Sequence, residues 1–154
     1  FNSSEFHKFV PDVNFVQDNE SLSHKNVLRG IHYQQHPYAQ GKLVRVVKGS
    51  VVDIVVDIRK NSPSFGKYEK FILTEKNKFQ LWIPEGMAHG FLSLEDNTVF
   101  SYKCTQFYNK ESERSIVWND KDLNIDWGIK NPIIAEKDSI APSLKFLLDN
   151  NQIL

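Results

Sequence analysis

The feature that most constrains the fold of this chain is a run of β-branched residues from Lys42 to Arg59, which reads KLVRVVKGSVVDIVVDIR. Valine and isoleucine favour strands, and the break at Lys48-Gly49-Ser50 divides the run in two. The pattern therefore predicts a hairpin of two strands. Side chains alternate along a strand, so the second strand should have two different faces. One face would carry Val52, Ile54, Val56 and Ile58, and the other Val51, Asp53, Val55 and Asp57.

Further short strands are predicted on both sides of this run, separated by turn-forming segments such as Pro63-Ser64-Phe65-Gly66. They are expected at Asn14–Gln17, Val27–Gln34, Tyr68–Leu73, Phe79–Ile83, Gly90–Leu94 and Thr98–Thr105. Only Asn2–Val10 and Ser143–Asn150 have the pattern of helices. The sequence thus predicts an all-β chain, an antiparallel sandwich or barrel with a few short helices at the termini. Residues 1–154 are expected to form a single domain, because this length is typical of one hydrophobic core.

Charge and composition exclude several classes of function. Lys plus Arg and Asp plus Glu both number 19, so the zero net charge provides no general attraction for nucleic acid or an anionic membrane. No segment reaches the ~20 apolar residues that span a bilayer, and no secretory signal opens the sequence. The single cysteine, Cys104, cannot form an intrachain disulfide, which favours a reducing cytoplasm.

The first candidate functional cluster lies in the strand Val27–Gln34, where an arginine, a glycine and a histidine interrupt apolar residues. In a regular strand Arg29 and His32 would face opposite sides. A bulge at Gly30 would let both point into one cavity. The alternative is a surface arginine and a histidine that is hydrogen-bonded in the core.

The second cluster surrounds His89, which follows the Pro84-Glu85-Gly86 turn and precedes Gly90. Glycines beside a histidine leave space for a ligand, although the histidine could instead cap the turn. A His-x-His metal pair is absent, since Gln34 stands two positions after His32. Two imidazoles without a clear carboxylate partner make a poor transition-metal site, so no metal is expected.

The third cluster is the strand around Tyr102, whose side chain should share a face with Phe100 and Cys104. Such a tyrosine could be a proton donor, or it could simply pack with its hydroxyl hydrogen-bonded. No glycine-rich phosphate loop and no nucleophile motif is present. Arg29 and Lys42 are instead suited to a diphosphate.

An ordered series of motifs resembles the dTDP-4-dehydrorhamnose 3,5-epimerase family. The motifs are FVQDN (15–19), VLRGIHYQ (27–34), AQGKLVR (39–45), VVDIR (55–59), WIPEGMAHGF (82–91), YKCT (102–105), WND (118–120), IDW (125–127) and KD (137–138). The resemblance covers Phe15 to about Leu144. It implies a cupin-type jelly roll, usually a homodimer, that needs no metal or other cofactor. It also implies inversion of C3 and C5 of dTDP-4-dehydro-6-deoxy-D-glucose in dTDP-L-rhamnose biosynthesis, which supplies O-antigen lipopolysaccharide.

The same resemblance implies roles for individual residues. His32 would be the catalytic base and Tyr102 the proton donor, with Asp53 and Asp138 supporting the histidine. Tyr108 would stack on the thymine. Contacts to the nucleotide and the sugar would come from Gln17, Asp18, Asn19, Arg29, Lys42, His89, Glu113 and Lys137.

Two other functions remain open at this point. The chain could act at C3 only or C5 only, on a related 4-ketosugar nucleotide, or it could be a non-catalytic cupin that binds sugar nucleotides. Together, His32, Tyr102 and Asp138 argue against the non-catalytic reading, since binding alone needs no acid and base on opposite faces. The N-terminal arm that is usual for the family is not found in this sequence, which leaves the expected diphosphate contacts and dimer interface open.

Overall fold

The computed structural model describes residues 1–154, most of which form strands and their connections. The strands are β1 (Gln17–Ser23), β2 (Val27–Gln34), β3 (Lys42–Lys48), β4 (Ser50–Asp57), β5 (Tyr68–Thr74), β6 (Gln80–Ile83), β7 (Met87–Ser93), β8 (Thr98–Cys104), β9 (Glu113–Ser115) and β10 (Ile133–Ile134). The helices are α1 (Ser3–Phe6), α2 (Glu136–Ser139) and α3 (Leu144–Asp149). None of these helices has the length and apolar character that a membrane crossing requires.

The strands form two sheets. One is four-stranded in the order β1-β8-β3-β6, and the other follows the path β10-β2-β7-β4-β5 with β9 also paired to β2. Every pair is antiparallel except β10 with β2. The prediction of an all-β antiparallel jelly roll with short helices near the termini is therefore confirmed.

The predicted hairpin of β3 and β4 is wrong. β3 lies between β8 and β6 in the four-stranded sheet, whereas β4 lies between β7 and β5 in the six-stranded sheet. The chain crosses between the sheets at Gly49, whose φ of +81° favours glycine. A Cβ atom at Gly49 would also lie only 2.5 Å from Oγ1 of Thr98. Because β4 is apolar on both faces, it is buried more completely inside a covered sheet than in a two-stranded hairpin.

The two faces of β4 belong to two different parts of the core, as the alternation of the sequence predicts. Val52, Ile54 and Val56 pack behind the six-stranded sheet, in a buried cluster that includes Leu144 and Leu147 of the C-terminal helix. On the other side, Val51 joins a buried cluster with residues of both sheets: Val44, Val46, Leu73, Ile83, Phe91 and Phe100. Beyond this second cluster lies a space between the two sheets. Most of the polar residues that the sequence analysis proposed for catalysis or binding surround it.

Several element boundaries differ from those predicted. The first strand covers Gln17–Ser23, so it shares only Gln17 with the predicted strand Asn14–Gln17. The first helix covers only Ser3–Phe6, and β7 begins at Met87 rather than Gly90. Strands β9 and β10 and helix α2 have two to four residues each. Segments of that length are too short to show a hydrophobic period, so the sequence pattern did not reveal them.

Candidate active site

A cavity of about 520 Å³ opens between the two sheets. Eight of its lining residues were expected from the sequence to bind or transform substrate: Arg29, His32, Lys42, His89, Tyr102, Glu113, Lys137 and Asp138. Apolar side chains, among them Phe91 and Phe100, complete the wall. A cavity that combines apolar walls with convergent polar and charged groups is typical of a small-molecule site.

A bulge in β2 brings Arg29 and His32 to the same cavity, as the sequence predicted. The pairing of β2 with β7 shifts register between these two residues. Gly30 has a φ of +117°, and a Cβ atom there would lie 2.6 Å from the Cα of Gly90. Gly90 therefore makes room for the neighbouring backbone, not for a ligand, which corrects the expectation for the glycine beside His89.

His32 is paired with a carboxylate from a distant part of the chain. Its Nε2 lies 2.7 Å from Oδ1 of Asp138, 106 residues further along, and the backbone N–H of Gly30 donates to Oδ2 of Asp138 at 3.2 Å. Burial alone would raise the pKa of Asp138, but the hydrogen bond and charge of His32 bring that pKa below its usual value. An ionised Asp138 holds the proton of His32 on Nε2, which leaves Nδ1 as the basic atom.

Tyr102 lies on the opposite wall of the cavity. His32 belongs to β2 of the six-stranded sheet, whereas Tyr102 belongs to β8 of the four-stranded sheet. The Tyr102 hydroxyl has no hydrogen-bond partner in the protein, and burial raises its pKa. It is therefore a protonated group free to donate to a ligand, which argues against the simple packing alternative.

Asp53 does not support His32, and this corrects the role expected for it. Its Oδ2 instead lies 2.9 Å from Nε2 of His89, on the strand next to β4. His89 and His32 are directly opposite each other on β7 and β2. The wall thus carries two histidine–aspartate pairs side by side. His89 lies inside strand β7 and is bonded to Asp53, so it does not cap the turn that precedes the strand.

A second depression, of about 300 Å³, continues from the main cavity and shares His32, Lys42, Tyr102 and Glu113 with it. Its remaining lining residues are Gln17, Asn19, Tyr33, Gln34, Gln40, Cys104 and Tyr108. The Tyr108 hydroxyl donates to Glu113 at 3.1 Å, and the Tyr108 backbone N–H donates to the side-chain oxygen of Gln17 at 2.9 Å. Lys137 approaches the other oxygen of Glu113 at 3.4 Å. The predicted nucleotide contacts are therefore grouped together.

Asp18 is the exception among these predicted contacts. Its side chain is 70% exposed and pairs with Lys103 at 2.7 Å on the outer face of the sheet. Gln17 and Asn19 face the depression, so alternation along β1 turns Asp18 away from it. The same alternation brings Ser21 to the cavity wall. The sequence analysis missed Ser21, Gln34 and Gln40, although the strand periodicity of β1 could have indicated Ser21.

The charged side chains of the site do not form a metal-binding cluster. No group of three or more His, Cys, Asp or Glu side chains is close enough together to hold a metal ion. In addition, Nε2 of both His32 and His89 is bonded to a carboxylate. What the cavity offers instead is an imidazole paired with a carboxylate on one wall, a protonated phenol on the other and several cations around them.

The chain is similar to known proteins over most of its length. Residues 1–145 match the family model described as dTDP-4-dehydrorhamnose 3,5-epimerase. A curated epimerase of that name from Shigella flexneri is 56% identical over 139 residues, which are 90% of this chain and 77% of the relative. The chain also resembles the crystal structure of a Legionella pneumophila 3,5-epimerase in complex with dTDP-4-keto-L-rhamnose. That similarity has a TM-score of 0.93 and 44% identity, over 99% of this chain and 81% of the other.

A solved structure with a narrower activity has the same fold. It is a 3'-monoepimerase from Streptomyces bikiniensis in complex with dTDP-quinovose, at a TM-score of 0.93 and 32% identity. The similarity covers 99% of this chain and 78% of that one. The fold is thus common to enzymes that invert one carbon and enzymes that invert two.

Proposed function

The chain belongs to the dTDP-4-dehydrorhamnose 3,5-epimerase family, and from this premise we propose how its residues carry out the epimerisation. The substrate is dTDP-4-dehydro-6-deoxy-D-glucose, and the product, inverted at C3 and C5, is dTDP-4-dehydro-L-rhamnose. The observation that carries the proposal is the placement of His32 with Asp138 on one sheet and of Tyr102 on the other, across one cavity. Membership of an enzyme family sets aside the non-catalytic binding reading.

The ketone at C4 makes the chemistry possible. Protons on C3 and C5 are acidic because their removal gives an enolate with its charge on the C4 oxygen. Nδ1 of His32 accepts each proton, and Asp138 stabilises the imidazolium that results. Tyr102 donates a proton from the opposite face, which inverts the carbon. The ammonium of Lys42 stabilises the enolate oxygen as its charge develops.

The nucleotide occupies the second depression in this proposal. Tyr108 is 55% exposed there, so its ring is available to stack on the thymine. Gln17 and Asn19 contact the base or the ribose, while Arg29 and Lys137 supply positive charge for the diphosphate or the sugar. Glu113 borders both spaces and therefore lies where the nucleotide joins the sugar.

One experiment tests substrate, reaction and competence together. The protein is incubated with dTDP-4-dehydro-6-deoxyglucose in deuterated water, with a rhamnose-forming reductase as reporter. Deuterium at both C3 and C5 of a product that the reductase accepts is the expected result. Deuterium at one of the two carbons alone would establish a one-carbon epimerase, and the absence of exchange at either carbon would contradict the proposal.

We also propose that the protein is a homodimer, joined through the outer face of the four-stranded sheet. Leu22 and Val47 are 57% and 40% exposed, and they lie on neighbours of β8 in that sheet. Exposed apolar side chains on a sheet face favour association. Light scattering should give twice the chain mass for the wild-type protein, and Leu22→Glu should shift it toward the monomer. A monomeric wild-type protein would contradict this assembly.

A further inference from the structure

Gln34, at the end of β2, is a buried glutamine whose side-chain amide bonds to the backbone of two loops. The residue is only 5% exposed. Its Nε2 donates to the carbonyl oxygens of Tyr38 at 2.6 Å and Phe107 at 3.2 Å. Its Oε1 accepts from the backbone N–H of Asn109 at 2.7 Å. The reverse orientation of the amide would set N–H against N–H at Asn109, so these partners fix how the amide lies.

Two of these three contacts lie on either side of Tyr108. The carbonyl of Phe107 belongs to the peptide group before Tyr108, and the N–H of Asn109 belongs to the peptide group after it. Tyr108 itself lies in the connection between β8 and β9, so no strand pairing holds its backbone. Gln17 bonds to its N–H at 2.9 Å, but only Gln34 contacts both peptide groups. The amide of Gln34 therefore sets the direction in which the Tyr108 side chain leaves the loop.

The pairing of β2 with β9 holds the other end of the same tyrosine. Gln34 and Glu113 are directly opposite each other on these strands. The Tyr108 hydroxyl donates to Oε2 of Glu113 at 3.1 Å. Two facing positions of one strand pair thus hold Tyr108 at its backbone and at its hydroxyl. The protein alone keeps the half-exposed ring in place, and a binding surface that is already ordered loses less entropy when a ligand binds.

We propose that Gln34 is a positioning residue for recognition of the nucleotide base. It acts through Tyr108, whose ring it orders before the nucleotide binds, because its amide is engaged with the two loops. The inference rests on the proposed function, in which the thymine stacks on Tyr108. Proton transfer belongs to His32 and Tyr102, so the loss of Gln34 should weaken nucleotide binding and leave the chemical step unchanged. A purely structural role would instead affect the folding of the loops and every ligand alike.

The test is Gln34→Met, which keeps the length of the side chain and removes its three hydrogen bonds. The dissociation constant of dTDP is measured by calorimetry, and KM and kcat are measured by solvent deuterium exchange into the proposed substrate. The Kd of dTDP and KM should both rise about tenfold, because ordering a mobile aromatic side chain and its loop costs about that factor in affinity. The value of kcat should stay within about twofold of that of the wild type.

A double variant and a control separate this role from a structural one. Tyr108→Ala removes the ring through which Gln34 acts. In that background Gln34→Met should weaken dTDP binding by less than about twofold, since the two residues act as one unit. Gln35→Met is the matched control. Gln35 is the next residue, and its amide donates only to the carbonyl of Asn151 at 3.5 Å, outside the nucleotide depression, so its dTDP affinity should match that of the wild type.

Equal dTDP affinity in Gln34→Met and the wild type overturns the proposal, and so does a tenfold loss that persists when Tyr108 is already alanine. If Gln34→Met does not fold, Gln34→Glu in alkaline buffer replaces it. Its carboxylate still accepts from Asn109 but has no N–H for the two carbonyl oxygens, so the same loss of affinity is expected, and wild-type affinity overturns the proposal. A wild-type protein that does not bind dTDP contradicts the proposed function itself, which is a different result.

Discussion

At the scale of single residues, the two histidine–aspartate pairs have the same type of contact, but their histidines differ in exposure. In both pairs Nε2 of the histidine meets the carboxylate, at 2.7 Å for His32 and 2.9 Å for His89. The His32 side chain is 24% exposed toward the cavity, and that of His89 only 10%. His32 is therefore the more accessible imidazole, as the proposed role of base requires, and His89 is suited to a fixed contact.

His32→Asn and Tyr102→Phe should fail in different ways, because they remove groups from opposite walls. Without His32 the enolate does not form, so exchange and product should both fall by about 10²–10⁴-fold. Without Tyr102 the enolate still forms and is reprotonated from the original face. Deuterium should then enter unconverted substrate while inverted product falls sharply, as measured by NMR and mass spectrometry. Equal loss of exchange and product in both variants would refute the two-wall assignment.

Asp138→Asn tests the charge of the carboxylate through the pH dependence of stability. The pKa of Asp138 is lowered in the folded protein, so its ionised form contributes stability above its unfolded pKa of about 3.9. That contribution is lost as the pH falls through the folded pKa. In urea titrations, wild type should be more stable than Asp138→Asn above about pH 5, and the difference should shrink in more acidic buffer. A difference that is constant down to the most acidic buffer would contradict this assignment.

At the scale of secondary-structure elements, the site depends on the contact between β2 and β7. The bulge that turns Arg29 and His32 inward exists where Gly30 and Gly90 let the two backbones approach closely. The short helix α2 then brings Asp138 against the bulge, since one of its oxygens accepts from Gly30 and the other meets His32. Two strands and a four-residue helix thus fix the position of the His32 imidazole.

Gly90→Ala should disrupt this contact. A Cβ atom at Gly90 would lie 2.9 Å from the carbonyl oxygen of Arg29, so β2 must move and with it His32. We expect a loss of about 1–3 kcal/mol in unfolding free energy, together with a large fall in kcat. Gly128→Ala is the control, because its Cβ would meet nothing within 4 Å. At its φ of +74° it should cost about 1 kcal/mol and leave kcat unchanged. Full activity in Gly90→Ala would contradict the role of the close contact.

At the scale of the whole molecule, the two-sheet architecture separates the proposed acid, Tyr102, from the proposed base, His32. A single sheet would carry His32 and Tyr102 on one surface, whereas the sandwich places them on facing walls with the cavity between. The depression that holds Tyr108 continues from this cavity. A nucleotide sugar can therefore extend from the rim, where the base would lie, to the interior, where the ketone would lie.

Removal of metal ions should leave activity unchanged. The charged side chains form no cluster of three metal ligands, and both histidines of the cavity are bonded to carboxylates. Proton transfer by His32 and Tyr102 needs no Lewis acid. Initial rates before and after dialysis against a chelator provide the measurement. Activity that disappears with chelator and returns with one added divalent metal would contradict the proton-transfer mechanism.

The sequence by itself determined most of the longer strands, the inward and outward faces of β4 and the charged residues that line the cavity. These properties depend on neighbours along the chain, since alternation and β-branching are local. The motifs also identified His32, Tyr102 and Asp138 through a family resemblance, although their separation in the sequence gives no distance between them.

Only the tertiary structure decided which groups meet. It assigned β3 and β4 to different sheets, paired Asp53 with His89 instead of His32, and turned Asp18 out to Lys103. The physical reason is that strand partners are selected by burial of whole faces among distant segments. A carboxylate that becomes buried by that packing bonds to a donor on the neighbouring strand. The order of residues along the chain does not show which strand that will be.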